Sequence, residues 1–245
     1  MSALRILSFN IHGGVDRKGV ANLRRIHALM EGFDIDIGVL QEMETRPSRG
    51  GHPGDVEILC GNERPYRLLG PAMKEDGGWY GNLILSRFPI IRGLVHDLER
   101  KHQVLEPRNA VDALIETPKG RLRVIGTHLS LASILRRWEI TNLIRLINMV
   151  EDKARSPVFF MGDFNEWLWS SRLLRHLDRL MHPLPCAKTF CLLPRIPARS
   201  CLVRRAGLQS GHADETGCPG ANAERAGRAR SIRPPAPPDR GATLI

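Results

Sequence analysis

The side chains best suited to acid-base or metal chemistry recur at one kind of place: the end of a run of apolar, β-favouring residues. Pro157-Val158-Phe159-Phe160-Met161 is unbroken by polar residues, which predicts a strand buried on both faces, and Gly162, Asp163, Phe164 and Asn165 follow it. Arg5 to Asn10 is a second such run and ends in an amide. Ile35 to Glu42 ends in an acid and Leu122 to His128 in an imidazole. A carboxylate at the end of a core strand is costly unless a cation or a proton-sharing group meets it. For Asp163 and Asn165 the competing reading is a helix N-cap, because a helical run follows from Trp167 to Leu180. Recurrence of the pattern favours a shared cleft at the strand ends. Glu42, Asp163, Asn10, Asn165 and His128 make a hard, oxygen-rich set that suits Mg²⁺ or Mn²⁺ better than zinc.

The remaining elements must hold those ends together. From Gly19 to Met30, Val20, Leu23, Ile26, His27 and Met30 follow helical spacing, and from Ala132 to Lys153 so do Ile134, Leu135, Trp138, Ile140, Leu143, Ile144, Ile147 and Val150. These are two helices laid on sheets. Tyr66 to Leu69, Asn82 to Ser86, Ile90 to Leu98 and Asn109 to Glu116 read as further strands, and Pro118-Lys119-Gly120 closes a hairpin into the strand that ends at His128. Met43 to Asn62, with Pro47, Gly50, Gly51, Pro53 and Gly54, reads as a loop beside Glu42. His12, before Gly13 and Gly14, reads at least as readily as a solvated loop residue as a functional one. Trp79 and Tyr80 could stack on a base or sugar, but core packing is the favoured use. The order of strands and helices predicts an α/β sandwich of two mostly antiparallel sheets with helices outside.

A chain of 245 residues, 42% hydrophobic, can bury one substantial core. The start MSALRILSFN lacks a basic n-region and a long apolar segment, and no apolar run approaches the roughly 18 residues of a membrane span. The expectation is a cytoplasmic protein without a transmembrane segment; the sequence is silent on oligomeric state. Of the net charge of +10, ten Lys or Arg against four acids from Ala187 to Ile245 carry +6, leaving +4 for residues 1–186. Mild basicity there fits a phosphate-bearing substrate without requiring DNA.

LSFNIHGG (Leu7 to Gly14), LQE (Leu40 to Glu42), YGNLILSRFPI (Tyr80 to Ile90), EPRNAV (Glu106 to Val111), GTHLSL (Gly126 to Leu131) and GDFN (Gly162 to Asn165) occur in that order. Together they resemble the endonuclease/exonuclease/phosphatase superfamily, whose members include secreted DNases, abasic-site endonucleases, inositol-polyphosphate phosphatases and neutral sphingomyelinases. The resemblance runs over roughly residues 3–190. It implies a DNase I-like fold and metal-dependent phosphoester hydrolysis with Mg²⁺ or Mn²⁺ as cofactor. By resemblance, Glu42 assisted by Asn10 holds the metal. Asp163 positions or deprotonates the attacking water, Asn165 bonds the phosphate, and His128 donates to the phosphate or acts as general acid. Asn82, Glu106 and Arg108 fall where the family contacts substrate or supports its His, and each also reads as a structural polar residue. The partner implied is a phosphate-ester substrate, either nucleic acid or a lipid headgroup; a phospholipid or phosphoinositide hydrolase is the alternative enzyme, and a non-catalytic remnant the alternative to an enzyme.

The resemblance implies a terminal Ser-Asp-His-Leu-Pro motif that this chain lacks: no Asp-His dipeptide follows Asn165. From about Cys191, Arg, Ala, Gly, Pro and Cys dominate and periodicity disappears, so residues 1–190 read as an incomplete domain and 191–245 as a disordered tail. Ser231 to Pro237 can be encoded AGC ATC CGA CCA CCT GCC CCT, which one nucleotide on reads Ala-Ser-Asp-His-Leu-Pro. That predicts a frameshift near Phe190, with the terminal strands lost and activity reduced or absent.

Overall fold

The computed structural model describes residues 4–16, 18–98, 106–151, 156–166, 175, 177, 180–183, 201–204 and 242–244. In chain order the elements are β1 (Ile6–Asn10), α1 (Leu23–Gly32), β2 (Ile37–Glu44), α2 (Asp55–Cys60), β3 (Tyr66–Glu75), β4 (Gly78–Ser86), β5 (Ile90–Asp97), β6 (Asn109–Thr117), β7 (Gly120–His128), α3 (Ser133–Glu151), β8 (Val158–Asp163), β9 (His182–Pro183), β10 (Cys201–Arg204) and β11 (Ala242–Leu244). They form two sheets, ordered β11-β1-β2-β4-β3 and β5-β6-β7-β8-β10-β9.

Pairing is antiparallel except at two places, β1 with β2 and β7 with β8. A parallel pair needs a crossover, and α1 and α3 supply it on the outer face of each sheet. The consequence is geometric. Both strands of each parallel pair end at the same edge, with Asn10 beside Gln41 and His128 beside Asp163 in register.

The apolar runs are continuous because both faces of these strands are buried. Ile6, Val39, Val124 and Met161 pack between the sheets, while Leu7 and Leu40 face α1 and Ile125 and Phe160 face α3. At the first turn of α3 the expected apolar stripe is interrupted: Ile134 is 75% and Trp138 39% exposed, whereas Arg136 and Glu139 are buried. Glu139 accepts from the Ser130 N–H, and Arg136 donates to the Ser130 and Leu131 carbonyls and to Glu166. That turn braces the loops after β7 and β8 and does not serve as core.

Several boundaries differ from expectation. The stretch from Met43 to Asn62 is not all loop: β2 continues to Glu44 and α2 follows, burying Val56, Leu59 and Cys60 in the cluster under α1. The turn between β3 and β4 shrinks to Asp76-Gly77, so Trp79 and Tyr80 lie in β4. The expected helix from Trp167 to Leu180 lies mostly outside the described residues, with Arg175, Leu177 and Leu180 helical. Within the stretch read as a tail, β10 pairs with β8 and β11 with β1, so seven of its residues complete sheet edges. Unpaired edge N–H and C=O groups are satisfied by any backbone that fits, without help from side-chain periodicity. The alternate-frame stretch Ser231 to Pro237 is outside the described residues.

Candidate active site

The two parallel pairs bring their ends together across the gap between the sheets. Asn10 closes β1 and donates from Nδ2 to Glu42 Oε1 at 2.6 Å and to Asp163 Oδ2 at 3.1 Å. Its Oδ1 accepts from the His12 N–H at 3.1 Å. One carboxamide thus braces carboxylates from opposite sheets. Glu42 does not end its strand as the sequence suggested; it sits within β2, where the pairing with β4 slips between Leu40 and Met43. Its φ of 58° marks a bulge, a device that re-aims a side chain out of the sheet.

His128 closes β7 with Nε2 3.8 Å from Glu42 Oε1 and 4.0 Å from Asp163 Oδ2. Arg108 Nη1 lies 3.3 Å from its Nδ1, and Arg108 Nη2 donates to Glu106 Oε2 at 3.1 Å. A donor-only group faces each ring nitrogen, the Arg108 guanidinium at Nδ1 and the Asn165 amide at Nε2, 3.1 Å away. Burial, then the charge of Arg108, pushes the His128 pKa down against the pull of Asp163 and Glu42. Both effects favour the neutral imidazole. Burial works against the ionised form of Glu42, yet its contacts with His12, His128 and Asn10 hold its pKa at about 2.

Asp163 leaves β8 after Gly162 and accepts the Asn165 N–H on Oδ1 at 3.0 Å. Asn165, at φ 48°, donates from Nδ2 to the Leu129 carbonyl at 2.7 Å and sits 3.1 Å from His128 Nε2. Asn165 is thus tied to the residue after His128 and does not act only as a cap.

Asn82, on β4, is buried and donates to Asn109 Oδ1 at 2.8 Å, and with Arg108, Tyr80, Glu42 and His128 it lines a narrow cavity under the cleft. Asn82 Oδ1 and Arg108 Nε are buried without a protein partner, an acceptor and a donor left for a ligand or solvent. Asn10, Glu42, Asn82, Glu106, Arg108, His128, Asp163 and Asn165 therefore all lie in or against this cleft, whereas Trp79 packs on the cluster under α1.

Two residues for which the sequence favoured, or equally allowed, a structural reading also face the cleft. Tyr80 lines the cavity under the Arg46 guanidinium, 5.4 Å from its ring centroid, and burial with the nearby Glu42 charge pushes its pKa up, so it remains a phenol. His12 Nδ1 stands 3.5 Å from Glu42 Oε2. Nothing in the local sequence distinguishes His12 from a solvated loop residue; its backbone turn makes the approach.

The donor chemistry fits a divalent cation: an ionised, part-buried carboxylate at Glu42, a second at Asp163 and an amide between them. Elsewhere, His27, Glu31 and Glu63 bring ligand atoms within 4.8 Å of one another, but Glu31 is paired with the buried Arg64, so this is an ion-pair network at the surface. Among the described residues no helix is long and apolar enough to cross a membrane.

Solved structures share this fold. An endonuclease/exonuclease/phosphatase from Beutenbergia cavernae superposes with a TM-score of 0.60 at 20% identity, covering 82% of this chain and 64% of that protein's length. The mannosyl-6-phosphatase Bt3783 of Bacteroides thetaiotaomicron gives 0.62 at 13% identity over 82% and 85% of the two chains. A humanized D. rerio TDP2 gives 0.58 at 15% identity over 85% of each. At these identities the likeness is one of fold, and no curated protein matches the sequence closely enough to be recognised as a relative. The profile of the Endonuclease/Exonuclease/phosphatase family matches residues 7–243, through both parallel pairs and on to β11. The chain belongs to that family, whose members are hydrolases of the nuclease and phosphatase type.

Proposed function

We propose that this chain hydrolyses phosphoesters in the cleft between the sheets, with Mg²⁺ or Mn²⁺ held by Glu42 and Asn10. The observation that carries the reading is the convergence of Glu42, His128 and Asp163 to within 3.8–4.0 Å through His128 Nε2, from positions up to 121 residues apart. A bound cation would offset charge building on a non-bridging phosphate oxygen and on the leaving oxygen. Asp163 Oδ2 orients a water and takes its proton, while its Oδ1 stays anchored by the Asn165 N–H. The second N–H of the Asn165 amide donates to the phosphate, and His128, when protonated at Nε2, donates beside it. Arg108 adds fixed positive charge and an uncommitted Nε–H, with Glu106 holding its other end.

Turnover is expected to be low. With no Asp-His dipeptide after Asn165, the acid-base partner opposite His128 is missing, a loss of on the order of 10² to 10⁴ in rate. The family spans nucleic-acid and small phosphoester substrates, and the neighbours named mannosyl-6-phosphatase and TDP2 support testing both. The test is hydrolysis of single-stranded and duplex oligonucleotides, a sugar 6-phosphate and phospholipid vesicles with Mg²⁺, with chelator, and with Glu42→Gln and Asp163→Asn. Slow hydrolysis of one class, lost with chelator and in both variants, is the expected result. Hydrolysis indifferent to chelator and to both variants would overturn the reading, as would no turnover of any class at a sensitivity of about 10⁻⁴ of a typical family rate.

A further inference from the structure

We infer that the outward face of α3, with Leu131 at its head, docks on an anionic phospholipid bilayer and sets the rim of the cleft against the headgroup layer. Docking itself is independent of catalysis; that the cleft then meets a lipid-borne phosphoester rests on the proposed hydrolytic reading.

α3 is apolar on both sides. Ile140, Leu143 and Ile147 are buried in the core beneath it, as a covering helix requires. At about 3.6 residues per turn, Ile134, Arg145 and Met149 fall on the opposite stripe, which is about 22 Å long. Ile134 is 75% and Met149 62% exposed there, and Leu131, just before the helix, is 69% exposed. Folding does not call for this. α1 covers the other parallel pair in the same way, and its exposed positions are Arg24, Arg25, Ala28 and Gly32, with no large apolar side chain among them. Aliphatic groups left in water along one of two equivalent helices mark a surface that meets a partner.

The charges select the partner. Arg137 and Arg145 are exposed on or beside the stripe, and neither pairs with a carboxylate among the described residues. From Leu131 to Met149 the only acid is Glu139, which is buried and bound to Ser130. A second copy of this face therefore offers no exposed acid to meet those arginines. Nucleic acid matches the arginines but leaves the aliphatic side chains in water. An anionic bilayer satisfies both, since its acyl boundary takes up the apolar groups and its headgroups the guanidiniums. Position ties the stripe to the site. Leu131 follows His128 by three residues, a reach of at most about 11 Å. Arg136 donates both to the Leu131 carbonyl, at 2.8 Å, and to Glu166, next to Asn165.

The test is co-sedimentation of the full chain, in chelator so that hydrolysis plays no part, with vesicles of phosphatidylcholine alone and of phosphatidylcholine mixed with phosphatidylserine. The expected result is binding to the anionic vesicles only, weakened by salt. It should fall on the order of fivefold in each of Arg137→Gln and Arg145→Gln. In the double variant Ile134→Gln with Met149→Gln it should fall on the order of tenfold. All four positions are exposed, so the fold should be kept, and circular dichroism checks it. Arg24→Gln with Arg25→Gln removes charge from α1 instead and should leave most of the binding. No binding to anionic vesicles overturns the inference, as does binding that the α3 variants leave unchanged or that the α1 variant lowers as much. Dimerisation that is lost in Ile134→Gln with Met149→Gln, without vesicle binding, overturns it in favour of a contact between copies. An oligonucleotide that displaces vesicles through Arg137 and Arg145 overturns it in favour of nucleic acid. These results leave the proposed hydrolysis standing, whereas a chain that binds vesicles and hydrolyses nothing refutes the function and keeps the docking.

Discussion

Replacing Gly162 by Ala should be among the most damaging single-methyl changes in the chain. Gly162 has φ of 145°, and a Cβ built on it falls 1.8 Å from the Thr127 carbonyl oxygen and 2.8 Å from its carbon. Those atoms belong to the backbone of the neighbouring strand, where Thr127 pairs with Gly162, so no side-chain rotation relieves the clash. The backbone strain is worth about 1–3 kcal/mol and the overpacking about the same again, together about 2–6 kcal/mol. At about 2–4 °C per kcal/mol for a chain of this size, the melting temperature should fall by about 5–20 °C. Gly120 provides the control: its φ is 106° but nothing lies within 4 Å of an added Cβ, so Gly120→Ala should show the strain alone. Thermal melts followed by circular dichroism measure both. The reasoning fails if Gly162→Ala melts within about 2 °C of the parent, or if Gly120→Ala is equally destabilising.

Asp112 is 2% exposed and bound by Arg123 Nε at 2.7 Å and His96 Nε2 at 3.1 Å. Burial opposes its charge, but His96 and Arg123 outweigh that and lower its pKa. The stabilisation is therefore complete above the unfolded value of about 4 and is lost as pH falls through the depressed folded value, and Asp112→Asn should flatten that acid limb in denaturation curves taken from pH 2 to 6. Near neutrality Asp112→Ala leaves Arg123 buried and unpaired and should cost about 3–5 kcal/mol in urea titrations. Glu139→Ala should cost about 1–3 kcal/mol by removing the acceptor of the Ser130 N–H, and lower turnover more than substrate affinity because Leu129, next to Ser130, anchors Asn165. A stability loss without change in turnover would separate the α3 brace from the site.

The architecture was legible where burial is symmetric. β1, β7 and β8 sit between a helix and the opposite sheet, so their apolar runs stand unbroken and their ends fall at Asn10, His128 and Asp163 as read. Glu42 was found by type but misplaced: the run continues through it into Met43-Glu44, and the bulge that turns it outward is fixed by the register of β4, which lies far along the chain. α2 was hidden because its six residues follow Pro53 and Gly54, and the helix is held by Val56 and Leu59 packing under α1 and not by its own propensity. β10 and β11 carry no alternation to read, since what places them is backbone pairing at an open sheet edge.

The separation of the reacting groups is set by packing distant from them. Glu42 belongs to one sheet and His128 with Asp163 to the other, so the 3.8 and 4.0 Å distances at the cleft measure how closely the sheets approach. Sheets faced by full side chains stack about 10 Å apart. Here β2 and β7 meet at Gly126, where a Cβ would fall 2.4 Å from Val39 Cγ1, and β3 and β6 meet at Gly70, where it would fall 2.1 Å from Val111 Cγ1. Each sheet presents one branched side chain that is received by a glycine of the other, and close packing holds that spacing because filling either glycine forces the sheets to move. Asn10 then spans the remaining gap with one amide group, bonding Glu42 on its own sheet and Asp163 on the other. Inter-sheet core and catalytic geometry are therefore one structural quantity, and a substitution that widens the first draws Glu42 away from His128 without touching either.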